Sequence, residues 1–555
     1  MTDGDLGDES FAAAFAAWRD IVGPQHATST ARDVGRAEAS TLPGEGRVRA
    51  IIRPGCVADV QRCIAVANRH RQCLYPVSRG RNWGLGSRQP AAQRCTLLDL
   101  GRLDAILEFD EELAYLTVEP GVTFRQAAEF LRDRGSALFV AVIGGSPDAS
   151  LIGNTVERGS GIGPYADRAA LVCGMEVVLP TGELVHTGFG RFKQARTTAL
   201  SRHGVGPGFD GLFLQSNLGV VTKLTIWLAP RPHTLAVFRA AVPAPKLACV
   251  IESFRRLVLN GSLGTPALSF WNSYKILARA GQYPWQAMQG ATPLALDRVG
   301  MAPDWHVSGA LYGPSAEHVA LAEQSMRRAL SAELEALAVV PLSGDAIDAR
   351  AGLFVGTPDT ANLASLYWRK AAGIPGDPDP DRDRCGLIWL CPMLPFRGSD
   401  CMRAIEIIER TVLRAGFEPN IGFNARDPRA LDGFVAIAYD RDLNGEDARA
   451  MRCHDDLMAE LVSAGYFPSR LGVQSMNSLP EPGDDFGQLM RRIKQAMDPA
   501  DILAPGRYDF RADWPPDAIT RRERARSPTT VTRDAHASSD FAAAITSSRQ
   551  RHPRA

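Results

Sequence analysis

Residues 75–87, YPVSRGRNWGLGS, set glycines at 80, 84 and 86 beside Ser78 and Asn82, directly after a short apolar run. Small residues let backbone approach a ligand closely, and successive N–H groups in turn conformations form an anion cradle. The hydroxyl and the amide add donors, so the loop suits a pyrophosphate. It is not a Walker loop, because GKS or GKT is missing, and it lacks the GxGxxG dinucleotide fingerprint. A plain turn-rich loop accounts for this segment alone equally well. Residues 144–168, GGSPDASLIGNTVERGSGIGPYADR, repeat the theme: Leu151-Ile152 lead into Gly153-Asn154-Thr155 and a glycine-spaced run. His186, His203 and His306 stand isolated and read as surface or core histidines rather than bases.

Such loops need strands and helices to aim them. VRAIIRPG, beginning near Val48, reads as a short strand. VADVQRCIAVANRH follows, with Val57, Val60, Ile64, Ala65 and Ala67 near helical spacing. CLYPVS is a second strand that delivers the chain into the first glycine loop. TLLDLGRL and AYLTVEPGV are further strands, and FRQAAEFLRDRG is a helix ending at glycine. Strands and helices therefore alternate up to about residue 145. Beyond it, residues 173–190 form a hairpin around Pro180-Thr181-Gly182-Glu183, and residues 219–230 an alternating strand that ends in proline. The acidic, proline-rich stretch 374–384, IPGDPDPDRDR, reads as an exposed loop.

In this order and spacing, residues 75–87, 144–168, 173–190 and 206–230 resemble the FAD-binding domain of the vanillyl alcohol oxidase and p-cresol methylhydroxylase (PCMH-type) flavoenzymes. IIRPGCVADVQRCIAVAN and MDPADILAPGRY are similar to that family as well. The resemblance is continuous over residues 45–230 and looser over 400–510. It implies an α+β fold: a two-subdomain PCMH-type FAD-binding domain, with the cofactor extended between its halves, and an α/β cap domain for the substrate. The corresponding boundaries are a leader helix and loop (1–46), the FAD-binding domain (47–230), the cap (231–464), a return to the FAD domain (465–510) and a disordered tail (511–555). By motif position the resemblance implies that Pro76, Ser78, Arg79, Gly80, Arg81, Asn82 and Gly84 line the diphosphate. Pro147, Asp148, Ile152, Gly153, Asn154, Thr155 and Gly159 would follow the flavin and ribityl chain. Ile226 would stand near the adenine end, and Arg507 would contact the cofactor from the C-terminal segment. Asp148 would sit at the flavin's reactive edge as a base or as a balance for charge at N5; capping its own Pro-Asp turn is the structural alternative.

The sequence also departs from the family pattern. Where phenol-oxidising relatives carry two phenolate-binding tyrosines, this chain has Leu85 and Ser469; the neighbouring Arg470 remains. A charge-assisted hydrogen bond contributes roughly 1.5–3 kcal/mol, so a simple phenol loses much of its means of binding. Arg470 can still hold a carboxylate, an enolate or another oxyanion. Asp432-Gly433 occupies the position where relatives often link the flavin covalently, and neither residue can form a histidyl or tyrosyl bond. FAD is therefore expected to dissociate, with Tyr439 and His454 as fallback links if the register is shifted. The expected activity is an FAD-dependent oxidoreductase that removes a hydride from a carbon of a small aromatic or oxygenated substrate, with Asp148 and Arg470 as catalytic residues. Leu85, Ser469 and Arg470 would line the substrate pocket. An oxidase of sugars or secondary metabolites, or a catalytically silent flavin-fold binding protein, are the alternatives. The electron acceptor would be O2, a cytochrome or another carrier, and a homodimer is an assembly that relatives adopt.

Composition narrows the field. The 555 residues carry 62 Lys plus Arg against 62 Asp plus Glu, so no long-range basic field favours nucleic acid. No apolar run of about 18 residues marks a membrane span, and the acidic start MTDGDLGDES is unlike a secretory signal, so a cytoplasmic location is expected. The 10 cysteines include no CxxC pair and no Cys/His cluster at ligand spacing. Free buried thiols and no metal are the expectation. Residues 511–555, with nine Arg and five acids, lack periodicity.

Overall fold

The computed structural model describes residues 3–44, 46–164, 167–264, 266–480 and 484–509. The expected tail, 511–555, lies outside the described residues.

Three larger sheets and a two-stranded pair, Leu138–Phe139 with Ala229–Pro230, organise the described residues. The first has strands Ala27–Thr28, Val48–Ile52, Cys95–Asp99 and Leu74–Val77 in that order. Cys95–Asp99 pairs in parallel with both of its neighbours and is buried throughout, as expected for a strand covered on both faces. Helix Val57–His70 carries the chain from Val48–Ile52 to Leu74–Val77, the two strands that flank Cys95–Asp99. Helix Asp3–Val22 packs on it through Ala14, Trp18 and Val22, spaced four apart on one face, and the Trp18 indole donates to the Cys63 carbonyl at 2.9 Å.

One sequence expectation fails here. Cys73 and Cys95 are disulfide-bonded, with Cα atoms 4.7 Å apart, because they face each other at the starts of adjacent parallel strands. Of the other eight, Cys56 and Cys249 are exposed and the rest are buried free thiols.

The second sheet is antiparallel and runs Ile106–Asp110, Tyr115–Val118, Val220–Trp227, Val172–Val178, Leu184–His186. Its last two strands form the hairpin that the sequence indicates. Helix Phe124–Asp133 starts at a capping box made by Thr123 and Gln126. The third sheet has eight strands. Seven run in the order Ala338–Ser343, Thr234–Val242, Trp305–Tyr312, Ala267–Asn272, Asn420–Ala425, Ala430–Asp440 and Cys385–Leu390. Met393–Pro395 pairs alongside Ala430–Asp440. Helices Leu247–Leu259, Ala316–Leu330, Gly398–Arg414 and Glu446–Ser463 contribute to the apolar core of this sheet.

The acidic loop 374–384 is not wholly exposed. Asp379 pairs with Arg81 at 3.2 Å, while Asp381 accepts from Ser87 Oγ (2.7 Å) and Trp83 Nε1 (3.1 Å). Burial pushes the Asp381 carboxyl up to about 7. The loop thus pins the first glycine loop in place from outside. Among the described residues no helix is long and apolar enough to cross a membrane.

Candidate functional site

A cavity of about 570 Å³ lies between the glycine loops and the eight-stranded sheet. That volume is within the range of small-molecule and cofactor sites.

Its first wall is made of small residues. The loop after strand Leu74–Val77 and helix Leu151–Val156 meet so closely that a Cβ at Gly153 would lie 2.6 Å from Ser78 Oγ. Gly80 has φ +65°, and a Cβ there would meet the Arg88 side chain at 2.3 Å. Ser150 starts the helix: its Oγ accepts from the Gly153 N–H (2.8 Å) and donates to the Pro120 carbonyl (2.6 Å). Replacing such a cap by alanine typically costs about 1 kcal/mol. Buried Arg168 donates to Asn154 Oδ1 (2.9 Å) and to the Ala141 carbonyl, which fixes the amide of Asn154 on the cavity wall. Arg507 donates to Tyr75 Oη (2.9 Å) and pairs with Glu157.

The opposite wall is bulky. Trp271, Trp389 and Phe434 line it from three strands of the eight-stranded sheet. Trp389 reaches the first loop, its backbone N–H donating to the Gly84 carbonyl at 3.0 Å, and a Cβ at Gly84 would strike its ring at 2.2 Å. Lys275, in the first turn of helix Ser273–Ala280, stands over the Trp389 and Trp271 rings at 5.0 and 5.5 Å. Asp432 is buried in this wall; burial raises its carboxyl, while Arg426 at 3.0 Å opposes the rise. Arg470 closes the seam, donating to Asn82 Oδ1 at 2.6 Å and lying 4.0 Å from Glu157. Ser469 is held by the Cys391 carbonyl, which accepts from its N–H (2.8 Å) and its Oγ (3.2 Å).

The cavity brings together most of the residues that the sequence singles out: Pro76, Ser78, Arg79, Gly80, Arg81, Asn82, Leu85, Ile152, Gly153, Asn154, Gly159, Ser469, Arg470 and Arg507. Five others stand elsewhere. Asp148 is on the surface, where Arg125 hydrogen-bonds it at 2.8 Å and holds its carboxyl below the usual range. Pro147 belongs to the same turn, its carbonyl accepting from the Arg125 N–H. The turn alternative describes this pair better than a reactive-edge base does. Thr155 spends its hydroxyl on the Leu151 carbonyl at 2.8 Å and points into the core. Ile226 is fully buried in the second sheet, further along the same strand as Val220 and Val221, which do line the cavity. Gly84 serves the contact with Trp389 described above. The fallback links also lie outside the wall: Tyr439 donates to the Thr41 carbonyl, and His454 is buried between Ser475 and Asp455.

Sequence reasoning misses Trp271, Lys275, Trp389, Phe434 and Glu157. Each comes from an ordinary-looking strand, helix or turn, and only the folded sheet gathers them. Among the described residues no group of three or more His, Cys, Asp or Glu side chains could hold a metal.

Comparison with known proteins gives this geometry a context. A family model described as "FAD binding domain" matches residues 48–188, and one described as "FAD linked oxidases, C-terminal domain" matches residues 434–508. The chain is 42% identical over 532 residues to a 1'-carboxy-chondrochloren decarboxylase of Chondromyces crocatus, covering 91% of this chain and 98% of that protein. It is 28% identical to the flavoprotein subunit of 4-cresol dehydrogenase [hydroxylating] from Pseudomonas putida, over 81% of this chain and 86% of that one. The crystal structure of p-cresol methylhydroxylase with substrate bound superposes with a TM-score of 0.83 at 25% identity, covering 92% and 98% of the two chains. A 4-ethylphenol oxidase from Gulosibacter chungangensis in an isoeugenol complex gives 0.81 at 26% identity, covering 90% and 97%.

The cofactor is FAD, and the residues present fit it. Gly80 and Gly153 line the cavity, and a Cβ at either would press on Arg88 or Ser78 and disturb the loop that shapes it. Arg79, Arg81, Arg158 and Arg507 line the cavity from the glycine-loop side, with Glu157 the carboxylate there, which suits a diphosphate.

Proposed function

The chain belongs to the vanillyl alcohol oxidase and p-cresol methylhydroxylase family of FAD-dependent oxidoreductases, and from that premise we propose that it oxidises a small aromatic carboxylate with release of CO2. The observation that carries this reading is Arg470. It is a largely buried cation beside an aromatic wall, at a place where Leu85 and Ser469 stand instead of phenolate-binding hydroxyls. A guanidinium that has lost its phenol-binding partners is suited to a carboxylate or another oxyanion. The named activity of the 42% identical relative, a decarboxylase, supports the same substrate class.

When bound, FAD supplies the acceptor for a hydride, one proton and two electrons. On the substrate, the hydride leaves the carbon next to the one that bears the carboxylate. The electron pair of the bond to the carboxylate becomes the new C=C bond, and neutral CO2 departs. No further proton is required for balance. Trp271, Trp389 and Phe434 would flank the aromatic ring and exclude water, Leu85 would keep the pocket apolar, and Arg470 would orient the polar end of the substrate. Pro76, Ser78, Gly80, Asn82, Gly153, Asn154 and Arg507 would hold the cofactor. Asp148, ion-paired on the surface, has no part in this reading. With Asp432 at the expected linkage position, FAD is held without a covalent bond.

Anaerobic titration of the yellow holoenzyme with ring-substituted 3-arylpropanoates tests the reaction. The expected result is flavin bleaching with one CO2 released per flavin reduced. Bleaching without CO2 would make the enzyme a simple dehydrogenase. Acid precipitation of the same material should leave the flavin in the supernatant; a yellow pellet would refute dissociable FAD.

A further inference from the structure

We propose that Lys275 is the residue that anchors the substrate carboxylate, and so selects acids over their uncharged analogues. The inference rests on the aromatic-carboxylate reading above and gives the carboxylate a second cationic partner besides Arg470, one with no acid of its own. Two half-buried cations near Lys275 already face acids: Arg426 lies 3.0 Å from Asp432 and 3.4 Å from Asp167, and Arg470 lies 4.0 Å from Glu157; Arg279, also over Trp271, is exposed to solvent. No carboxylate of the described residues pairs with Lys275. Among the described residues its one polar side-chain contact is long, 3.4 Å to Asn420 Oδ1, and the Trp271 and Trp389 rings also lie close to it. A desolvated ammonium without a counter-ion is costly, and an incoming carboxylate would remove that cost.

The fold positions the amine deliberately. Asn272 caps helix Ser273–Ala280, accepting from the Lys275 N–H at 3.1 Å. The same Asn272 oxygen accepts from the Ile421 N–H, and its amide donates to the Pro419 carbonyl, tying the helix start to the neighbouring strand. The lysine stem then lies across Gly422: a Cβ there would come within 2.7 Å of Lys275 Cδ and Cε. Glycine at 422 is therefore the slot that lets the amine reach the cavity.

Titration follows from the same surroundings. Burial lowers the Lys275 amine to about 8. The groups facing it are the neutral Asn420 amide, the two indoles and the Cys391 thiol, which burial pushes up to about 12; Arg279, on its own helix, is a further cation over Trp271. None supplies a negative charge below pH 10. The anchor is thus charged below about pH 8 and lost above it, so affinity for a carboxylate should fall as pH rises through that range.

Phenylacetate and phenylacetamide test this in the holoenzyme, because neither can lose hydride and CO2 together. Binding is read from the visible spectrum of the bound flavin. Native enzyme should prefer the acid. Lys275→Met should weaken phenylacetate by about 10- to 100-fold, leave phenylacetamide nearly unchanged and abolish the fall above pH 8. Lys275→Arg should restore acid binding and carry it to higher pH. Gly422→Ala, which leaves the lysine in place but crowds its stem, should weaken phenylacetate by about 3- to 10-fold. If Lys275→Met binds the acid as well as native enzyme does, or weakens both probes equally, the assignment is overturned. If native enzyme itself shows no preference for the acid, the carboxylate reading fails instead.

Discussion

On the wall formed by the two glycine loops, contact is made by backbone and short side chains, and space is the controlling quantity: a Cβ at Gly153 would stand 2.6 Å from Ser78 Oγ. On the facing wall, Trp271, Trp389, Phe434 and Lys275 project from the eight-stranded sheet and its helix, and chemistry is the controlling quantity. The first wall can receive a large, rigid group of fixed shape. The second offers apolar surface with a few placed charges, which discriminates among small ligands. The difference teaches that holding the cofactor and choosing the substrate are separable tasks in this molecule, and substitutions on the two walls should separate them.

The largest effect should come from filling the first wall. Gly153→Val puts a branched side chain against Ser78 Oγ and Ser150, where over-packing costs about 1–3 kcal/mol before any ligand is displaced. Purified protein should be nearly colourless, with visible absorbance per chain reduced at least about tenfold, while far-ultraviolet circular dichroism remains native. Gly153→Ala should show a graded loss. A yellow, fully loaded Gly153→Val protein would mean that this wall does not contact FAD.

The same contrast explains what could be read from the sequence. The glycine-loop wall is contiguous: Ser78, Gly80 and Asn82 fall within five residues, and Gly153 and Asn154 are adjacent, so spacing alone betrays a cradle. Strands such as Val48–Ile52 and the hairpin at 180–183 were legible for the same reason, since their signals are local. The second wall has no local signature. Lys275 is one lysine in an amphipathic helix, and its meaning comes from Gly422 on a strand far along the chain. The surroundings of Asp148 were not legible, because a Pro-Asp turn next to a glycine motif looks the same whether its carboxylate faces a cofactor or Arg125. Cys73 and Cys95 looked like unrelated thiols because strand adjacency is invisible without the fold.

A smaller effect, confined to turnover, is expected at the seam. Arg470 meets the first wall through Asn82 and a looser approach to Glu157, so Arg470→Ala should keep most of its flavin while losing turnover about 10- to 100-fold, the scale of one charge-assisted contact. Absorbance per chain and steady-state rate measured on the same preparation give the split. Equal losses of flavin and turnover would make Arg470 a structural brace for the Asn82 loop, and the two walls would then be coupled rather than separable.

The smallest effect should be at Asp148, and it bears on the comparison because the carboxylate belongs to neither wall. Its side chain is 51% exposed and its partner Arg125 is 44% exposed. Exposed ion pairs of this kind contribute about 0–1 kcal/mol. Asp148→Asn should therefore leave flavin content, turnover and its pH profile within about twofold of native, with a small decrease in melting temperature. The direction with pH is fixed by the sign of the shift. Arg125 lowers the folded carboxyl, so the pair's contribution is present above the ordinary Asp range and fades as acid protonates it. Native and Asp148→Asn melting temperatures should therefore converge below about pH 4. A loss of turnover well beyond twofold at constant flavin content would instead return Asp148 to the reacting centre, and the cavity would need a third wall.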